Sequence, residues 1–125
     1  GYDLTPPATI LQPGDSFTLT LYYQATAATT TDYTRFVHLY DPALGMAAQF
    51  DSPPQQGANP TSAWVQDEVI ADPVVLQIAP DAKPGSYQLQ VGLYDASGAR
   101  LAVNDSSSAP LPDAQLILTT IELKP

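Results

Sequence analysis

The chain has 125 residues, enough for one domain that buries roughly two-thirds of the surface its unfolded form exposes. It has no cysteine, which excludes a disulfide framework and any thiolate metal site. Thirteen acidic residues against four basic ones give a net charge of −9, a surface that repels phosphate, so no nucleic-acid partner is expected and anionic membranes are disfavoured.

Thirteen prolines and seven glycines punctuate the chain, and the runs between them are rich in Val, Ile, Leu, Tyr and Thr, a strand vocabulary. In chain order the strand candidates are ATILQ (8–12), FTLTLYY (17–23), YTRFVHLYD (33–41), GMAAQFD (45–51), PVVLQIA (73–79), YQLQVGLY (87–94), ARLAV (99–103) and QLILTTIEL (115–123). Two of these alternate strictly. Phe17, Leu19, Leu21 and Tyr23 share one face, and Tyr87, Leu89, Val91 and Leu93 lie opposite Gln88, Gln90 and Gly92. The last candidate changes phase between Leu118 and Ile121, which a β-bulge near Thr119–Thr120 or a strand covered on both faces explains.

Turn chemistry separates the strands. QPGDS (12–16) and KPGSY (83–87) place Pro-Gly just before a strand, and DASGAR (95–100) has the length of a tight hairpin loop. DSSSAPLPD (105–113) reads as a connection into the last strand, and the acceptor triplet NDS (104–106) as a polar loop. The fold class expected is all-β: one immunoglobulin-like antiparallel β-sandwich of about seven to nine strands, a single domain over 1–125. Its core is expected to draw on Phe17, Leu19, Leu21, Val37, Leu39, Leu76, Ile78, Tyr87, Leu89, Val91 and Leu93. Tyr87, at the start of a late strand, stands where a tyrosine corner would. Gly1 and Lys124–Pro125 look like the edges of a domain excised from a larger protein. No apolar run approaches the about 20 residues that span a bilayer, so no direct membrane insertion by this domain is expected.

The ordered set FVHL (36–39), D-x-P-P (51–54), P-T-S-x-W (60–64), P-G-x-Y (84–87) and G-L-Y-D (92–95) resembles an extracytoplasmic β-sandwich domain of bacterial membrane proteins. These are similar to family 39-type, polyprenyl-phosphate-sugar-dependent glycosyltransferases, in which such a domain is a C-terminal appendage. The likeness covers about Asp15 to Val103. It implies an accessory domain of a cell-envelope protein, outside the cytoplasm, with the membrane-anchored remainder of the same protein as partner. The family's catalytic carboxylates lie in the membrane region, so no catalytic residue carries over and the domain is not expected to be an enzyme.

Four residues are candidates for ligand binding: Trp64, Tyr40, Tyr94 and His38. Trp64 ends the turn-rich stretch PPQQGANPTSAW and has two readings. It joins Tyr22, Tyr40 or Tyr94 in a platform for the C–H face of a sugar, which makes the domain a carbohydrate-binding module with a glycan partner. Alternatively the loop folds over one end of the sandwich and the indole plugs the core, with Thr61 and Ser62 bonding local backbone. His38, the only histidine, shares a face with Phe36 and Tyr40. It is either a base or metal ligand, or a half-buried ring hydrogen-bonded across the sheet. No cofactor is expected. Calcium stands as the alternative, on a site assembled from Asp67 and Glu68 with Asp51 or Asp72, because calcium needs about six to eight oxygens. The other reading of these carboxylates, with Asp41, Asp95 and Asp105, is an acidic rim.

Overall fold

The computed structural model describes residues 2–7, 9–25, 27–102, 111 and 114–125. Eight strands are present among them: β1 (Tyr2–Thr5), β2 (Ile10–Leu11), β3 (Ser16–Gln24), β4 (Thr34–Asp41), β5 (Gly45–Ser52), β6 (Val69–Gln77), β7 (Gly85–Tyr94) and β8 (Leu116–Leu123). They form a three-stranded sheet in the order β1-β3-β6 and a five-stranded sheet in the order β2-β8-β7-β4-β5. All pairs are antiparallel except β2 with β8, which is parallel. Among the described residues no helix is long and apolar enough to cross a membrane.

The period-two rows determine how the sheets meet. Phe17, Leu19 and Leu21 of β3 and Val74 and Leu76 of β6 face Val37 and Leu39 of β4, Leu89 and Val91 of β7, and Ile121 and Leu123 of β8 in one apolar cluster. Burial of such rows on two facing sheets is the main driving force for the fold. Leu93, expected in this core, is only half-buried, because its row runs out towards the end of β7. Tyr87 is buried, and its hydroxyl donates to the Lys83 carbonyl 2.7 Å away, four residues upstream. The phase change in β8 is a register shift: Leu89 faces Thr119 while Gln90 faces Ile117, so Leu118 is the extra residue.

Three strand expectations need correction. β1 was not anticipated, since YDLT is too short to show alternation. β6 begins at Val69 rather than Pro73, because it is an edge strand and an edge tolerates a proline in its middle. ARLAV contributes only a single bridge, Arg100 with Tyr94, and Val103 lies outside the described residues. NDS (104–106), Asp105 and most of DSSSAPLPD likewise lie outside the described residues.

One end of the core is ionic. Arg35 sits in the inward row of β4 with Val37 and Leu39, and Asp72 sits in the inward row of β6 between Ile70 and Val74. Arg35 Nε donates to Asp72 Oδ2 at 2.9 Å, and the two side chains are 1% and 0% exposed. The remaining valences are filled. Arg35 also donates to the Phe50 carbonyl and to Ser52 Oγ, both at 3.2 Å, while Asp72 accepts from the Tyr23 hydroxyl at 3.0 Å and the Gln55 amide at 2.8 Å. Burial, then the Asp72 carboxylate, push the Tyr23 phenol far above its ordinary pKa, with Arg35 acting in the opposite sense, so Tyr23 stays a donor. Each ion offsets a desolvation cost that neither could bear alone.

Asp72→Ala leaves a buried guanidinium without its counter-charge and is expected to lower unfolding free energy by about 3–5 kcal/mol. The double variant Arg35→Met/Asp72→Leu, which removes both charges, is expected to lose less than the single one. Urea denaturation monitored by Trp64 fluorescence compares them, and equal losses would show that the pairing is not what stabilises this end.

Candidate ligand-binding groove

The face of the five-stranded sheet turned away from the core carries its own row on β4: Phe36, His38 and Tyr40. Across β4 these stand opposite Gly92, Gln90 and Gln88 of β7 on one side and Asp51, Gln49 and Met46 of β5 on the other. An open groove of about 850 Å³ runs over this surface. Its floor and walls include His38, Tyr40, Gln88, Gln90, Arg100 and Gln115, with apolar flanks from Met46 and Ile117. Amides that donate and accept, beside an aromatic ring and apolar side chains, suit a ligand that is itself amphipathic.

Local sequence explains how the groove is held open at one end. Phe36 is 1% exposed although it points away from the core. Its ring lies over Gly92, where a Cβ would fall onto it, and beside the rings of His38 at 4.9 Å and Tyr94 at 6.3 Å. The Arg100 guanidinium covers it, 4.4 Å from the ring centroid, a cation–π contact. Arg100 reaches this place through the DASGAR turn. Asp95 Oδ1 accepts from the Ser97 amide and hydroxyl and the Ala99 amide at 2.6–3.1 Å, and the Ser97 bond is the leading cause that holds the Asp95 carboxyl below its ordinary pKa. Arg100 then bridges to Tyr94, and its Nη1 donates to Gln115 Oε1 at 3.3 Å.

His38 is not hydrogen-bonded across the sheet as expected. Its Nε2 is shut off from solvent, makes no hydrogen bond and lies 3.6 Å from Asp51 Oδ1. The other oxygen of Asp51 accepts from the Tyr94 hydroxyl at 3.1 Å. Burial pushes the imidazole below its ordinary pKa, Asp51 pulls it up and Arg100 pushes it down again. Burial, then the Asp51 contact, also raise the Tyr94 phenol.

Trp64 lies elsewhere. It is half-buried and packs on Tyr23, with ring centroids 5.3 Å apart, and its Nε1 donates to the Asn59 carbonyl at 2.9 Å. The expected grouping with Tyr22, Tyr40 or Tyr94 does not form; Tyr22 instead donates to Asp3 at 2.8 Å on the three-stranded sheet. The loop is fixed at both ends. Gln55 bonds Asp72 and, through its side-chain amide, the Ala71 carbonyl at 2.7 Å, with Gln55 and Gln56 in left-handed backbone at φ 54° and 55°. Thr61 is 2% exposed and, contrary to expectation, bonds distant backbone: it donates to the Thr31 carbonyl, 30 residues away, and accepts from the Tyr33 amide, 28 residues away. Ser62 donates its amide to Asp32. PPQQGANPTSAW thus closes over the ionic end of the core.

The calcium set is not assembled. Asp72 is committed to Arg35, Asp51 belongs to the opposite face of the five-stranded sheet, and Glu68 Oε1 accepts from the Val65 amide at 3.0 Å. Among the described residues no group of three or more His, Asp or Glu side chains could hold a metal ion.

Of the four candidates, His38 and Tyr40 line the groove, Tyr94 stands beside Phe36 at its end, and Trp64 is remote from it. Gln88 and Gln90 were legible as the face opposite the core row, yet their part in a groove was not. Arg100 and Gln115 gave no sequence signal, since a turn and the approach to β8 bring them together.

Gly92→Ala is expected to displace the Phe36 ring and cost about 1–3 kcal/mol of stability, read from the shift of the denaturation midpoint. His38 supplies a pH dependence. Because its folded pKa lies below the unfolded value of 6.5, the folded state binds fewer protons, so stability is full above about pH 6.5 and falls as pH drops through that range. Urea midpoints at pH 7.5 and 5.5 should differ in the native chain and converge in His38→Gln, since no other histidine titrates there. Compared with protein-family models, with curated proteins and with solved structures, the chain matches none.

Proposed function

We propose that the chain is a non-catalytic binding domain, an immunoglobulin-like β-sandwich that holds a glycan in the groove over its five-stranded sheet. In this reading it works outside the cytoplasm as an accessory part of a bacterial cell-envelope protein. The sheet orders support the immunoglobulin-like class. β1-β3-β6 corresponds to strands A, B and E, and β8-β7-β4-β5 to strands G, F, C and C′. The Tyr87–Lys83 bond falls at the turn into the F-equivalent strand, where a tyrosine corner belongs. The envelope setting rests on the motif series FVHL to G-L-Y-D.

The observation that carries the glycan reading is the groove's lining: Gln88, Gln90 and Gln115 amides beside the Tyr40 ring and the apolar flanks of Met46 and Ile117. Side-chain amides bond sugar hydroxyls in both directions, and an aromatic ring covers the C–H face of a pyranose. In this reading the ligand lies away from Trp64, unlike a module built on the indole.

Titration of the isolated chain with an oligosaccharide panel, followed by amide NMR, tests this. Tyr40→Ala and Gln88→Ala are expected to weaken binding on the order of tenfold each, about 1.4 kcal/mol, while Trp64→Phe leaves it unchanged. Loss of binding in the Trp64 variant alone would move the site to the loop.

A further inference from the structure

The two glutamines that β7 turns towards the groove are not equivalent. Gln90 is 6% exposed, and its Nε2 donates to Gln88 Oε1 at 3.1 Å. Gln88 is exposed and lines the open part of the surface. A side-chain amide both donates and accepts, but one whose oxygen is already engaged is left as a donor. Among the described residues nothing accepts from Gln88 Nε2, so the N–H end is what Gln88 offers to the groove. The strand register sets apolar contacts beside this donor. Tyr40 of β4 stands opposite Gln88 of β7 on one side and Met46 of β5 on the other. Neighbouring strands lie about 4.8 Å apart, so Met46 and Gln88 leave the sheet about 10 Å apart with the Tyr40 ring between them. Met46 is 42% exposed, and a thioether side chain adapts its shape to an apolar group laid against it. All three residues sit on paired strands, and in order they present an apolar side chain, an aromatic ring and an N–H donor.

We propose that this row selects N-acetylated sugars, with the acetamido carbonyl accepting from Gln88 Nε2 and the acetamido methyl lying against Met46 and the Tyr40 ring. The inference rests on the glycan-binding reading above and narrows it to one ligand class. A hydroxyl in place of the acetamide brings no methyl to Met46. Gln90 is a positioning residue: it acts through Gln88, by fixing which end of that amide meets the ligand.

Matched probes separate the two levels. Chitotriose and cellotriose share their linkage and differ at C2, acetamide against hydroxyl. Binding is measured by calorimetry, and the Gln88 side-chain amide and the ε-methyl of Met46, the only methionine, locate the site by NMR. Chitotriose is expected to bind tighter by on the order of tenfold, about 1.4 kcal/mol, with a nuclear Overhauser contact between an acetyl methyl and the Met46 methyl. Gln88→Glu keeps an acceptor for hydroxyls and loses the donor, so it should abolish the preference while cellotriose binding persists. Gln90→Met frees Gln88 to turn and should reduce the preference, a change that a purely structural role would not produce; a preference left intact there would remove Gln90 from the proposal. Cellotriose bound at the Met46 methyl as tightly as chitotriose, or a preference unchanged in Gln88→Glu, would overturn the acetamido selectivity and leave the glycan reading standing. No shift of either resonance with these two sugars or with any member of the oligosaccharide panel would overturn both.

Discussion

The Arg35–Asp72 pair is the constraint on which this structure depends. It joins the two sheets from inside, one partner in the inward row of each, with both side chains essentially without solvent contact. An unpaired charge there would be prohibitive, so the chain surrounds the pair with acceptors and donors until its valences are met. Those partners are Phe50, Ser52, Tyr23 and Gln55, drawn from β5, β3 and the loop after β5. The pair therefore positions the segment after β5 as much as it joins the sheets. The loop that begins at Pro53 is drawn to Asp72 by Gln55, turns back through two left-handed glutamines, and lays Trp64 against Tyr23, the same tyrosine that donates to Asp72.

The outer face of the five-stranded sheet is organised by packing rather than by ion pairing. An antiparallel sheet with one face on the core usually leaves the other to water. Here Phe36 and Gln90 are buried on that second face, because Gly92 leaves room for a ring and Arg100 folds back to cover it. A partly filled face next to an open one makes a groove with a rigid end wall. The Gln88 amide and the Tyr40 ring lie along the open part, on strands whose register is set by the core on their other side. A site on paired strands is held in place more closely than one on a loop such as Pro53–Trp64.

Most of the strand framework was legible because alternation is a local property. Phe17 to Tyr23 and Tyr87 to Leu93 announce their buried rows within seven residues, and the phase slip in β8 announced its bulge. Failures occurred where a local signal competed with sheet position. Pro73 read as a strand start because proline breaks central strands, whereas β6 lies at an edge where the missing donor costs little. YDLT carried too few residues to alternate. Thr61 read as a local turn former, and its hydroxyl instead ties the loop to Thr31 and Tyr33.

By itself the sequence determined the class of structure, two-sided strands with one apolar face each, and the outward placement of His38, Tyr40, Gln88 and Gln90. Arg35 falls in the same row as Val37 and Leu39, and nothing local says whether a charge in such a row is buried. Only the tertiary structure decided that Asp72 lies inside rather than on an acidic rim, that Trp64 meets Tyr23, and that Arg100 covers Phe36. The reason is physical. Alternation is fixed by the geometry of neighbouring residues, but a buried charge is tolerable only when its partner arrives from 37 residues away, and that meeting exists only once the sheets have paired.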